Sequence, residues 1–115
     1  MHLGRFASGD WSSGPVARAT TFEERWRGLR PRSRGIGLWL EGKSVHSIGM
    51  EEDLLVVGLD RRLQVVGSTH LRPGRFLWVR GAHSTVELPI GQDLPEVGAL
   101  LTWSPWPEIS ATGVG

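Results

Sequence analysis

His46 is the side chain with the clearest chemical potential in this chain. It lies within Ser44-Val45-His46-Ser47-Ile48-Gly49-Met50, a polar segment set between two apolar runs. An imidazole titrates near pH ~6.5, so at neutral pH it can exchange protons, bind a metal or hydrogen-bond a ligand. In an extended chain Ser44 and His46 share a face. Ser-x-His alone, however, lacks the orienting group and the oxyanion donors that nucleophilic catalysis needs. No catalytic residue is assigned, and Ser44, His46, Ser47 and Met50 are expected to form a ligand-binding surface. A small hydrolase or metal-dependent enzyme centred on His46 is the alternative.

Other chemistry-bearing residues are scattered. His70 and His83 reach His46 only if folding brings them together, and no HxH or HExxH spacing supports a metal. Glu51-Glu52-Asp53 lacks the spacing and the turn glycine of a calcium loop. Gly35-Ile36-Gly37 lacks the rest of either phosphate-loop fingerprint. No metal and no cofactor are therefore expected. The chain has no cysteine, which rules out disulfides, thiolate nucleophiles and zinc ribbons.

The formal net charge of +1 gives little long-range pull on an anionic polymer. Arginines cluster locally at Arg18, Arg25, Arg27, Arg30, Arg32 and Arg34, a pattern that usually marks a solvated basic surface. Trp78 beside Arg75 and Arg80 is a possible base-stacking group, but no RNP, KH or helix-turn-helix pattern accompanies it. The expected partner is a protein or a small molecule, with nucleic acid not expected. Trp103 and Trp106, with Pro105 and Pro107, make a proline-aromatic tail that can fold back or meet a partner.

These residues need a scaffold. Ile36-Gly37-Leu38-Trp39-Leu40 and Leu54-Leu55-Val56-Val57-Gly58-Leu59 are strand-length and free of charge, so each reads as a strand buried on both faces. Further strands are expected near 16–19, 63–66, 76–79, 84–90 and 99–103. Turns fall at Asp60-Arg61-Arg62 and Leu71-Arg72-Pro73-Gly74. Pro89 implies an edge strand or a strand end. One helix is expected: Thr21 and Glu24 form a capping box, Phe22, Trp26 and Leu29 an apolar stripe, and Pro31 the stop. Residues 1–14 read as a loose lead-in.

From residue 23 to about 103 the motif order resembles the DUF192 family, also called UPF0127, of small bacterial and archaeal proteins. The matching pieces are Glu23-Glu24-Arg25-Trp26-Arg27-Gly28-Leu29 and Ser44-Val45-His46-Ser47-Ile48-Gly49-Met50, followed by Val56-Val57-Gly58-Leu59-Asp60 and Val86-Glu87-Leu88-Pro89-Ile90-Gly91. The resemblance implies a compact mostly-β domain with a helix near its start, and no reaction. Two departures stand out. Leu55 occupies the place where an aspartate is expected, and Gly98-Ala99 replaces the usual Gly-Asp before the closing strand.

The expected fold class is mostly β with a minor α part: a small β-barrel or β-roll of about six to seven short strands and one short N-terminal helix. Residues 15–103 form the single domain, 1–14 the loose segment, and 104–115 a flexible Pro/Trp-containing tail. No run reaches the ~18 apolar residues of a membrane span and no signal segment is visible, so a cytoplasmic monomer or weak dimer is expected.

Overall fold

A computed structural model describes residues 2–19, 35–47 and 51–106. The fold is mostly β, with ten strands among the described residues: β1 His2–Ser8, β2 Trp11–Ser12, β3 Val16–Arg18, β4 Gly37–Glu41, β5 Ser44–His46, β6 Leu54–Leu59, β7 Val65–Leu71, β8 Phe76–Trp78, β9 Ser84–Pro89 and β10 Thr102–Pro105. The main sheet follows the order β10-β1-β3-β4-β9-β6-β7, with β2 paired to β1, while β5 and β8 form a separate two-stranded ribbon. The sheet curls into a half-closed barrel. Its two edges meet at one end, where Val65 N–H donates to Ala99 O (2.8 Å) and Leu101 N–H donates to Leu63 O (2.9 Å).

The barrel interior holds Phe6, Val16, Leu55, Val57, Leu59, Val65, Val86, Leu88 and Leu101. Phe6, Trp39 and Trp103 close upon one another with ring centroids 4.8–4.9 Å apart. Tilted and edge-on geometries of this kind favour the aromatic quadrupoles beyond simple burial. Leu54 and Val56 point to the opposite face of β6, and there they pack with Val45, Leu71 and Val79 beneath the ribbon. Both apolar runs are thus strands, and β6 is buried along its whole length. Gly58 is the one position in β6 without a side chain, because Val79 occupies the space a Cβ would take.

β3 and β4 pair in parallel. Parallel neighbours need a crossover of a dozen or more residues, and the stretch between Arg18 and Gly37 supplies it. The helix expected at 21–30 lies outside the described residues. Among those described, no helix is long and apolar enough to cross a membrane.

The lead-in reading of residues 1–14 is corrected. β1 lies inside the sheet, between β10 and β3, and Phe6 is fully buried. His2-Leu3-Gly4-Arg5-Phe6 lacks a contiguous apolar run, since only one face of β1 contributes to the core, so composition alone conceals the strand. The last strand begins at Thr102 rather than Ala99, and its end extends into the segment read as tail. Trp106 N–H donates to Leu3 O (3.0 Å), so the chain through Trp106 folds back along β1.

If β1 is integral to the core, Phe6→Ala will cost about 3–5 kcal/mol. Leu3→Ala on the same strand, where Leu3 is 41% exposed, will stay within about 0.5 kcal/mol. Urea denaturation of both variants checks this, and equal midpoints would place Phe6 outside the core.

Candidate ligand-binding surface

The ribbon is built by two turns. Gly42 takes φ 125°, a conformation that favours glycine, and lets the chain leave β4 and enter β5. Pro73-Gly74, with Gly74 at φ 76°, returns the chain from β7 toward β8. The strands pair antiparallel as Ser44↔Trp78, Val45↔Leu77 and His46↔Phe76. Val45 (4% exposed) and half-buried Leu77 pack inward on the β6 face. Side chains alternate along a strand, so Phe76 and Trp78 turn outward, where they are 63% and 59% exposed. Ser44 is exposed opposite Trp78. Lys43 Nζ lies 5.4 Å from the Trp78 ring centroid, within cation–π range.

Ser47 sits where the ribbon ends and is fully buried. Its hydroxyl donates to Arg72 O (2.5 Å) and accepts from Arg75 N–H (2.9 Å). Its own N–H donates to Arg75 O (2.8 Å), and Gly74 N–H donates to its carbonyl (2.9 Å). The side chain thereby pins the 72–75 turn that positions β8. Of the four residues expected at the site, Ser44 and His46 lie on the ribbon, Ser47 anchors its end, and Met50 lies outside the described residues. Phe76 is not among the residues expected at the site, and Trp78 is expected only as a possible base-stacking group. The period-two pattern Phe76-Leu77-Trp78-Val79 was visible, but a sequence does not say which face of such a strand meets solvent.

The other histidines are far apart. His70 pairs with Leu55 at the start of β6 and contacts Asp53 Oδ2 at 2.5 Å. His83 N–H donates to Leu59 O at the far end of β6 (2.7 Å), and its ring lies 3.6 Å from Glu41. Four residues of strand separate the two positions, about 13 Å. No group of three or more His, Asp or Glu among the described residues could hold a metal. Leu55, which stands where the resemblance implies a carboxylate, is packed in the barrel interior.

Two shallow depressions flank these elements. One, of about 570 Å³, is lined by Gly42, Lys43, Asp60, Arg61, Arg62 and Gly81 to His83, and adjoins the ribbon through Lys43. Asp60 Oδ1 accepts the N–H groups of Arg62 (2.8 Å) and Gln64 (2.9 Å), which shapes the turn that presents both arginines. Leu63 completes that turn at φ 68°. The other depression, of about 620 Å³, lies between Asp10 to Gly14 and Gln92 to Leu94, on the β2 side of the barrel. Trp11 Nε1–H crosses it to Asp93 O (2.8 Å).

At the rim of the barrel the Arg18 guanidinium lies 3.9 Å over the Trp39 ring. Its pKa is lowered by burial, an effect that the nearby Glu41 carboxylate opposes. Trp39 Nε1–H donates to Ser84 Oγ (2.9 Å), fixing the ring on which the guanidinium rests.

Removing the Ser47 hydroxyl takes away the acceptor of the Arg75 N–H and a donor to Arg72 O. Ser47→Ala is expected to destabilise the domain by about 1–3 kcal/mol, against about 0.5 kcal/mol or less for Ser44→Ala, as read by urea denaturation. No protein-family model matches this chain, and no curated protein or solved structure matches it either.

Proposed function

We propose that this chain is a small, non-enzymatic cytoplasmic binding module of the DUF192 type, with its contact surface centred on the β5–β8 ribbon and the adjoining segment to Met50. The observation that carries the reading is the outward pair of Phe76 and Trp78, both more than half exposed, directly across from Ser44 and His46. Large aromatic side chains contribute most of the contact energy at many interfaces. A ribbon that displays two of them loses apolar burial in the free protein and regains it when a ligand covers them. The hydrogen bonds of Ser47 fix the ribbon before a ligand arrives, which lowers the ordering cost of binding. The family assignment rests on the order of the four sequence motifs alone.

Catalysis has weaker support. The hydroxyl of Ser47, the nearest described serine on the C-terminal side of His46, is engaged by backbone, and His70 and His83 sit toward opposite ends of β6. The binding reading is tested by amide and indole NMR of the full 115-residue chain against a panel of metal ions, nucleotides and small metabolites. Saturable shifts at Ser44 to Ser47 and Phe76 to Trp78, weakened by His46→Ala, are the expected result. Saturable shifts confined to the Asp10–Leu94 depression, or a His46→Ala variant with unchanged fold and affinity, would move the site elsewhere.

A further inference from the structure

The Lys43 end of the ribbon joins two features that the sequence keeps apart. Turns 42–43, 60–63 and 80–83 converge there, and Lys43, Arg61, Arg62 and Arg80 are all exposed. Three of these cations line the 570 Å³ depression together with His83. Two carboxylates lie nearby, Asp60, whose Oδ1 accepts the N–H groups of its own turn, and Glu41, 3.6 Å from the His83 ring; the four cations outnumber them. Lys43 also reaches over Trp78, so the cationic depression and the aromatic track form one continuous surface. Trp78 and Phe76 follow at alternate positions on one face of β8, about 6.6 Å apart along the strand. Exposed Arg75 stands next to Phe76 at the other end.

Resting on the binding-module reading above, we infer that this surface takes single-stranded nucleic acid. Phosphates lie against Lys43, Arg61, Arg62 and Arg80, and unpaired bases stack on Trp78 and Phe76. Charge complementarity selects a polyanion. The aromatic track selects among polyanions, because every base offers a flat π-face to an exposed ring. An acidic peptide is less well served, since its apolar anchors need a concave pocket and the ribbon face offers flat rings. A duplex is disfavoured because its bases are already stacked on each other, whereas loops and single strands can splay theirs onto a protein. The formal net charge of +1 averages over the whole chain and so does not report a local excess of cations at these turns.

The test is fluorescence anisotropy of a labelled oligothymidylate with the full chain, titrated at several salt concentrations. Binding is expected with a log–log salt slope of about −3, the value for four phosphate contacts on a single strand. Trp78→Ala and Phe76→Ala should each weaken binding about tenfold at fixed salt and leave the slope unchanged. Both side chains are largely exposed, so the fold should persist. The double variant Arg61→Gln/Arg62→Gln should reduce the slope by about 1.4. Absence of saturable binding up to about 100 μM protein, the weak end of non-specific affinity, overturns the inference. So does equal binding of polyglutamate, or of duplex with both aromatic variants neutral. If the oligonucleotide fails while the small-molecule panel still shifts Phe76 to Trp78, only the nucleic-acid assignment falls. If it binds with both aromatic variants neutral, the oligonucleotide contacts another surface and the nucleic-acid inference falls, while the ribbon reading is decided by the small-molecule panel.

Discussion

β6 cannot meet water on either face. Its six residues are all buried, and apart from Gly58 each carries a branched aliphatic side chain. A strand of this kind needs two separate apolar covers. One is the interior of the curled sheet, which receives Leu55, Val57 and Leu59. The other is the β5–β8 ribbon, which lays Val45 and Val79 over Leu54 and Val56. The ribbon exists as a cover, and its outer face follows from that: in a pleated strand, each residue turned inward leaves its neighbours turned outward. Phe76 and Trp78 are therefore displayed because Leu77 is needed underneath. The absence of a side chain at Gly58 belongs to the same arrangement, since it lets Val79 descend onto β6.

Much of this was legible in the residues. The two charge-free runs became β4 and β6, the Asp60 turn joins β6 to β7, and the Pro73-Gly74 turn follows β7, as alternation and turn chemistry imply. Pro89 ends β9, which satisfies the proline constraint even though β9 is a central strand. What escaped was long-range. β1 becomes a strand because β10 and β3 flank it; β3 follows closely in sequence, but β10 comes from the other end of the domain. β9 looks half-polar, yet Thr85 and Glu87 are as buried as Val86 and Leu88. Glu87 stands between Leu38 and Val56 in register, a position that alternation alone assigns to solvent.

The proposed binding surface was legible only in part. Ser44 and His46 could be singled out by local polarity, but Ser44 to His46 form a strand because β8 pairs with them, and that partner lies some thirty residues away. Ser47 reads as one more hydroxyl in a polar segment. In the fold its hydroxyl takes up the backbone groups of the 72–75 turn, and its importance is geometric. The cationic depression was invisible for a similar reason. Lys43, Arg61, Arg62 and Arg80 come from three separate turns, while the arginine-rich span visible in the sequence lies upstream of all four.

The pairing of β1 with β10 has a consequence in time. Thr102 Oγ1–H donates to Ala7 O across 95 residues of chain, and Phe6 is enclosed partly by Trp103. Contacts of such high sequence separation slow folding, because chain closure must precede the energy it releases. At a synthesis rate of roughly 5–20 residues per second, Phe6 leaves the ribosome several seconds before Trp103 exists. Throughout that interval a bulky aromatic side chain and an unpaired strand edge stand open. The nascent chain is consequently most exposed to chaperones, and to misassociation, at β1.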